Sequence, residues 1–246
     1  MNAPRRAAAL IIGTELLTGK TVDANLVLLA RTLRQLGISL ARAVVIADEL
    51  EIIVAEVRAL SRTHDLVFTS GGLGPTHDDL TVSAVAAAFE VPTMVPDELR
   101  RSLERHFGEQ TNKGHLRMAR VPQGARLLQA SDSSWPLIVM GNVWLLPGPP
   151  QIFARKMTLL RSELAGAAPF VSLRVRARLD ECTLKPWLDR VVADHPDVSI
   201  GSYPQWTADA PRTDVTFDAP DAAPAERARD AFVALLPAGA LVKEGE

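Results

Sequence analysis

Residues 65–81 read DLVFTSGGLGPTHDDLT, and this stretch decides the fold. Asp65-Leu66-Val67-Phe68-Thr69 is apolar enough for a buried strand. Ser70 to Thr76 is a turn rich in Gly and Pro, and Asp78-Asp79 open a helix running to Phe89. A strand, a Gly-rich turn and a helix N-terminus make a natural anion site. Glycine lets backbone N–H groups approach a phosphate, and the helix end adds a favourable dipole. The adjacent carboxylates of Asp78 and Asp79 would repel a bare phosphate. They make sense when a divalent cation stands between acid and phosphate, or when one acid takes part in the chemistry. Residue by residue the loop also fits a plain turn with an Asp helix cap, Asp78 serving as that cap. The whole string asks for more than a turn needs.

Working outward, Ala7 to Ile12 is a continuous apolar run closed by Gly13, as expected of a strand buried on both faces. Val22 to Leu36 has helical spacing, with Gly37 where a terminating glycine belongs. Ala41 to Ala47 reads as a strand and Asp48 to Leu60 as a helix. The first part of the chain is therefore β-α-β-α-β-α, which predicts a mostly parallel sheet with helices on both faces, a three-layer α/β/α arrangement. Ligands bind such sheets beyond the carboxyl ends of the strands. Gly13-Thr14-Glu15, Asp48-Glu49 and the Gly71–Asp79 loop all fall at those ends.

Residues 97–120 read as helical and polar, a solvated face. Alternatively Asn112, Lys113 and Arg117 reach a ligand phosphate. Pro136 to Met140 and Val143 to Leu146 form a hairpin about Gly141-Asn142. Pro147-Gly148-Pro149-Pro150 then makes a rigid turn that either walls a pocket or only leads into a helix over 151–164. A boundary follows near Ala165–Pro169, which divides the chain into 1–166 and 167–246. The second part reads as strand Val171–Leu179, helix Glu181–Ala193, strands Val198–Tyr203 and Thr213–Phe217, helix Ala225–Leu236 and a short strand Ala240–Lys243. That order is a small α+β, ferredoxin-like unit. Pro186 is tolerable only near the first turn of its helix. Tyr203 and Trp206 either stack on a ligand ring or pack their loop.

Bulk properties narrow the classes. The 246 residues, 47% hydrophobic and 23% charged, suit an ordinary soluble globular protein. A formal net charge of −2 gives no support to nucleic-acid or anionic-membrane binding. The single cysteine, Cys182, excludes an internal disulfide and a zinc site of several Cys ligands. The five histidines are scattered, with neither HxxxH nor HxH spacing. No targeting segment is recognised and no apolar run approaches a membrane span of about 20 residues, so the cytoplasm is the expected location.

Ile12-Gly13-Thr14-Glu15-Leu16-Leu17-Thr18-Gly19, then Asp23 and Asn25, then Gly71 to Thr81, then Leu146-Pro147-Gly148-Pro149-Pro150, resemble the MoaB/Mog-type molybdopterin-binding domain. The nearest branch looks like the N-terminal domain of competence/damage-inducible CinA proteins. The chain is also similar to the molybdopterin-binding-like domain fused to eukaryotic FAD synthases. Pro136 to Val139, Asn142-Val143-Trp144 and Gly201 to Trp206 look more like that second branch. Where CinA proteins usually carry Gly-Thr-Ala-Pro-Gly, this chain has Ser133-Ser134-Trp135-Pro136-Leu137. The CinA deamidase domain and the FAD synthase adenylyltransferase domain are not expected in it.

The resemblance implies a three-layer fold, self-association into a homo-oligomer, and a small-molecule nucleotide or pterin as ligand. Relatives bind molybdopterin, adenylylate it, or hydrolyse nucleotide pyrophosphates with a divalent metal. By motif, Asp48 and Asp79 fall on acids treated as catalytic or metal-linked. The leading expectation is thus a metal-dependent nucleotide pyrophosphatase, a hydrolase of a phosphoric anhydride in FAD or ADP-ribose. Glu15, Asp48 and Asp79 would hold Mg²⁺ or a transition metal. Gly13, Thr14, Glu15, Gly71, Gly72, Gly74, Thr76, Asp78, Asn112, Lys113, Pro147 and Gly148 would surround the ligand. The alternatives are a non-catalytic molybdopterin- or nucleotide-binding protein, and a molybdopterin adenylyltransferase of molybdenum cofactor biosynthesis.

Overall fold

The computed structural model describes residues 4–129, 135–206 and 211–242. Ser133, Ser134, Lys243 and the side chain of Trp206 lie outside the described residues. The chain forms two compact units, Met1–Ala167 and Ala168–Glu246.

The first unit opens with β1 (Arg6–Ile12), α1 (Thr14–Leu17), α2 (Asn25–Gln35), β2 (Ser39–Ile46), α3 (Leu50–Thr63), β3 (Leu66–Ser70) and α4 (Thr81–Ala88). It continues through β4 (Thr93–Met94), α5 (Asp97–Phe107), α6 (Lys113–Met118), β5 (Val121–Pro122), β6 (Arg126–Leu128), β7 (Leu137–Met140), β8 (Val143–Leu146) and α7 (Pro150–Leu164). The main sheet has the order β2-β1-β3-β8-β7-β6. β1 pairs parallel with β2 and β3, and β3 pairs parallel with β8. β7 runs antiparallel to β8 and to β6.

Period two sorts the strand residues onto two faces. Ala7, Ala9, Ile11, Phe68 and Leu146 pack with Leu29 and Leu33 of α2 and Phe153, Met157 and Leu160 of α7. Ala8, Leu10, Ile12, Val67 and Leu145 pack with Ile53, Val57 and Leu60 of α3, and with Ala84, Val85 and Leu99. Both faces are covered, so β1 is an unbroken apolar run after Arg6, and the three-layer architecture follows.

Local chemistry moves several boundaries. α2 starts at Asn25 rather than Val22, because the Asp23 carboxylate accepts from the Leu26 amide at 2.8 Å in a turn before the helix. α4 starts at Thr81 with Leu80 as its cap residue, so Asp78 does not cap it. Residues 97–120 are two helices separated by the short turn Gly108–Gln110.

The second unit contains β9 (Val171–Ala177), α8 (Glu181–Asp194), β10 (Ser199–Trp206), β11 (Pro211–Ala219) and α9 (Ala222–Leu235). Its antiparallel sheet has the order β10-β11-β9. The expected last strand is reduced to one bridge, Leu241 to Ala177 on the outer edge of β9. Pro186 lies inside α8, beyond the first turn to which it was expected to be confined. Asp180 caps this helix by accepting from the Thr183 amide at 3.0 Å.

On the sheet face away from the packed Val215 and Phe217, Asp214 is nearly buried and accepts from Arg176 through both carboxylate oxygens, at 2.6 and 3.1 Å. Arg174 approaches it at 3.6 Å and the Gln205 amide donates to it at 3.2 Å. The Arg176 hydrogen bonds hold the Asp214 carboxyl below its usual range against the cost of burial. A depressed carboxylate contributes its full stability above its ordinary pKa, near 4, and loses it as pH falls through the lowered value. Asp214→Ala is therefore expected to cost about 2 kcal/mol at pH 7, below the range for fully buried pairs because Arg176 keeps solvent contact. Thermal melts should show the gap between variant and parent closing in strong acid, and a gap independent of pH would refute the assignment.

Candidate functional site

The carboxyl ends of β1, β2, β3 and β8 deliver four separate segments to one end of the sheet. At the tip of β1, the Gly13 amide donates to Ile46 O of β2 at 3.0 Å. The Thr14 amide donates to Asp48 Oδ2 at 2.7 Å, and the Asp48 amide donates back to Thr14 Oγ1 at 3.2 Å. This reciprocal pair fixes the Asp48 carboxylate beside the β1 tip. Exposed Glu15 folds its carboxylate back over Gly13.

At the tip of β3 the chain turns through Gly71 and Gly72, with φ of 107° and 66°. A side chain on Gly71 would collide with the Ile12 carbonyl, so only glycine lets β3 leave the sheet against β1. The Gly71 amide donates to Leu146 O of β8 at 3.2 Å, and a Cβ on Gly148 would stand 3.4 Å from Gly71 Cα. The Pro147-Gly148 turn is thus a wall against Gly71.

Thr81 closes the loop from the helix side. Its hydroxyl donates to Gly71 O at 2.8 Å and its amide to Gly72 O at 3.1 Å. Asp79 braces the far side, accepting from the Thr76 amide at 2.8 Å and the Thr76 hydroxyl at 2.5 Å. Asp78 is exposed. Its carboxyl is held below the usual range by the nearby Thr76 hydroxyl, whose bond in this structure goes to Asp79, then by its own backbone amide, against desolvation, with smaller help from His77 and Arg117. The amides of Gly71 and Thr76 are spent on protein acceptors. Those of Gly72, Leu73 and Gly74 donate to no protein acceptor among the described residues, which leaves them free to meet an anion.

Helix α6 stands against this loop, with Gly114 near Pro75. The Asn112 side chain caps the helix, accepting from the Gly114 and His115 amides at 2.9 and 3.2 Å. Arg117 donates to the carbonyls of His77 and Asp79, both at 3.3 Å. Arg117 thus braces the loop and Asn112 spends its side-chain oxygen on the cap, while Lys113 is left exposed at the head of α6.

Among the described residues no three His, Cys, Asp or Glu side chains gather as they would around a metal ion. Glu15, Asp48 and Asp79 are not among such a group: the Glu15 carboxylate lies over Gly13, Asp48 is held by the Thr14 amide and Asp79 by Thr76.

Sequence reasoning left Asn25 and Ser70 out of the site. Asn25, 4% exposed, donates to Ser70 Oγ at 2.9 Å and to Gly148 O at 2.7 Å. One amide joins the start of α2 to the tips of β3 and β8. The available signal was a polar residue beginning an otherwise amphipathic helix.

Residues 8–165 match the family described as "probable molybdopterin binding domain". The chain belongs to this family. Residues 169–245 of this molybdopterin-binding-family chain match a second description, "FAD synthase, middle domain". The chain is 32% identical over 232 residues to a "Probable FAD synthase" of Caenorhabditis elegans, covering 83% of this chain and 45% of that protein. It is 35% identical over 182 residues to a "CinA-like protein" of Myxococcus xanthus, covering 71% of this chain and 41% of that one. It therefore spans about half the length of these relatives or less. Among solved structures, the CinA protein of Thermoplasma acidophilum, described as of unknown function, superposes with a TM-score of 0.60 at 26% identity, covering 66% of this chain and 99% of that one. Among the described residues no helix is long and apolar enough to cross a membrane.

Proposed function

We propose that the chain hydrolyses the phosphoric anhydride of a dinucleotide of the FAD or ADP-ribose class, with a divalent cation. The observation that carries this reading is the meeting at β1. Asp48 is fixed there through Thr14, and Gly71 is pressed there against Ile12, so a carboxylate and a loop with free amides flank the same strand tip. The FAD synthase names of relatives, and the middle-domain match, favour a flavin or adenine dinucleotide over other diphosphates.

In this scheme the amides of Gly72, Leu73 and Gly74 hold one phosphate, the Gly148 turn limits its position, and Arg117 keeps the loop in place from behind. Asp48, with one oxygen bound to the Thr14 amide, presents its charge toward the diphosphate. A divalent ion bound there would polarise a phosphoryl oxygen and lower the pKa of a water. Water adds to one phosphorus and the bridging P–O bond breaks. FAD gives AMP and FMN, and ADP-ribose gives AMP and ribose 5-phosphate.

A second reading, a binding module that holds molybdopterin or a nucleotide without turnover, draws on the lack of a gathered carboxylate group among the described residues. Incubation with FAD or ADP-ribose and Mg²⁺, Mn²⁺, Co²⁺ or Ni²⁺ is expected to release AMP, seen by chromatography. If no ion supports release while FAD, ADP-ribose or a pterin raises the melting temperature, the binding reading replaces the hydrolytic one.

A further inference from the structure

The second unit has a groove of about 370 Å³ that the proposed activity does not use. Lys185, Leu188, Asp189 and Val192 line one side of it, and Ile200 and Ser202 the other. The helical residues repeat at i, i+3, i+4 and i+7, one stripe of α8. Val192 is 48% exposed, a large apolar side chain left beside the groove. The opposite wall is β10, the edge strand of its sheet.

Three features of this edge select its occupant. First, Ser199 to Trp206 contains no charged residue, whereas natural edges are commonly guarded by charge. Second, Pro204 lies opposite Thr213 of β11 and has no N–H to give it. Pro204 therefore belongs to the set of β10 residues that face away from β11. Ile200 and Ser202, four and two residues earlier, share that orientation and turn their N–H and C=O groups to the open side. Third, the stripe carries Lys185 and Asp189 a helical turn apart, Lys185 Nζ to Asp189 Oδ2 being 2.5 Å, while Glu181 at its head is engaged by the Ser202 hydroxyl.

We propose that this edge pairs with a second copy of the same chain about a two-fold axis at Gly201. Ile200 of one copy then opposes Ser202 of the other, and the reverse, in an antiparallel ladder that Pro204 terminates. The two α8 helices lie antiparallel beside each other. Lys185 of each meets Asp189 of its mate, and Leu188, Val192 and Ile200 are covered. The stripe is self-complementary in charge only when read against itself in reverse, which is the relation a two-fold axis imposes.

Cys182 lines the groove, so it is replaced by serine and the spin label is carried by Ala193→Cys, an exposed position of α8 outside the lining, in the whole chain. Pulsed electron resonance is expected to show an intermolecular separation of about 20 Å, for antiparallel helices about 10 Å apart with each label six residues from the axis. Lys185→Asp and Asp189→Lys are each expected to abolish that separation, because like charges then face one another. An equimolar mixture of the two variants is expected to restore it, since the mixed pair sets opposite charges together. Restoration on mixing also shows that both variants fold. Absence of the separation in the parent chain overturns the proposal, even where sedimentation shows an oligomer, as does a separation that survives either reversal. Pairing with an unrelated peptide strand would leave the labels without this mutual distance.

Discussion

Gly71→Ala is expected to abolish ligand binding at the strand tips and to cost the first unit about 3 kcal/mol or more. The backbone there has φ of 107°, outside the range L side chains adopt with ease. A methyl group would also meet the Ile12 carbonyl oxygen, and because that atom is main chain inside β1, no side-chain rotation relieves the clash. The loop can yield only by giving up the Gly71 amide bond to Leu146 O or the Thr81 hydroxyl bond to Gly71 O, at 3.2 and 2.8 Å. Either loss displaces the amides of Gly72 to Gly74. Melting curves with and without ADP-ribose provide the check. Gly114→Ala serves as comparison, since a methyl there meets only the Asn112 side chain at 3.2 Å and Pro75 at 3.7 Å. A Gly71→Ala protein that melts and binds like its parent would show that the close approach to β1 is not real.

Asp48→Asn is expected to lower the turnover of FAD or ADP-ribose by about 10²–10³-fold, with little change in affinity. The substitution preserves shape. An asparagine oxygen can still accept from the Thr14 amide, so the β1 tip keeps its brace while the negative charge disappears. That charge matters only as phosphoryl transfer proceeds, when the cation and the attacking water must be held in register. A loss confined to kcat therefore separates chemistry from positioning, whereas Asp48→Ala would remove both together. Single-turnover AMP release is the measurement, and an unchanged rate in Asp48→Asn would remove Asp48 from the chemistry.

Much of the framework was legible because period and length carry it. β1 and β3 were placed to within about a residue, since apolar runs ended by Gly13 and by Ser70-Gly71 admit little else. β4, β5 and β6 escaped notice because strands of two or three residues show no period. The start of α4 was misjudged for a chemical reason. Asp79 spends its carboxylate on Thr76, three residues earlier, and so shapes the loop rather than the helix. The same limit applies to the site. Strand tips named Thr14, Asp48 and the Gly71 loop, because topology alone brings them to one end of the sheet. The Asn112 cap of α6 is local and an asparagine before a helix announces it, but spacing held no sign that Arg117 serves two loop carbonyls, since that depends on how α6 comes to rest on residues 75–79.

The Asn25 amide reaches Ser70, 45 residues away, and Gly148, 123 residues away, with the same nitrogen. Two turns that are strangers along the chain thereby answer to one hidden hinge pin. A change at residue 25 is a change to both of them, and neither turn can drift in the course of evolution without first renegotiating with the head of α2.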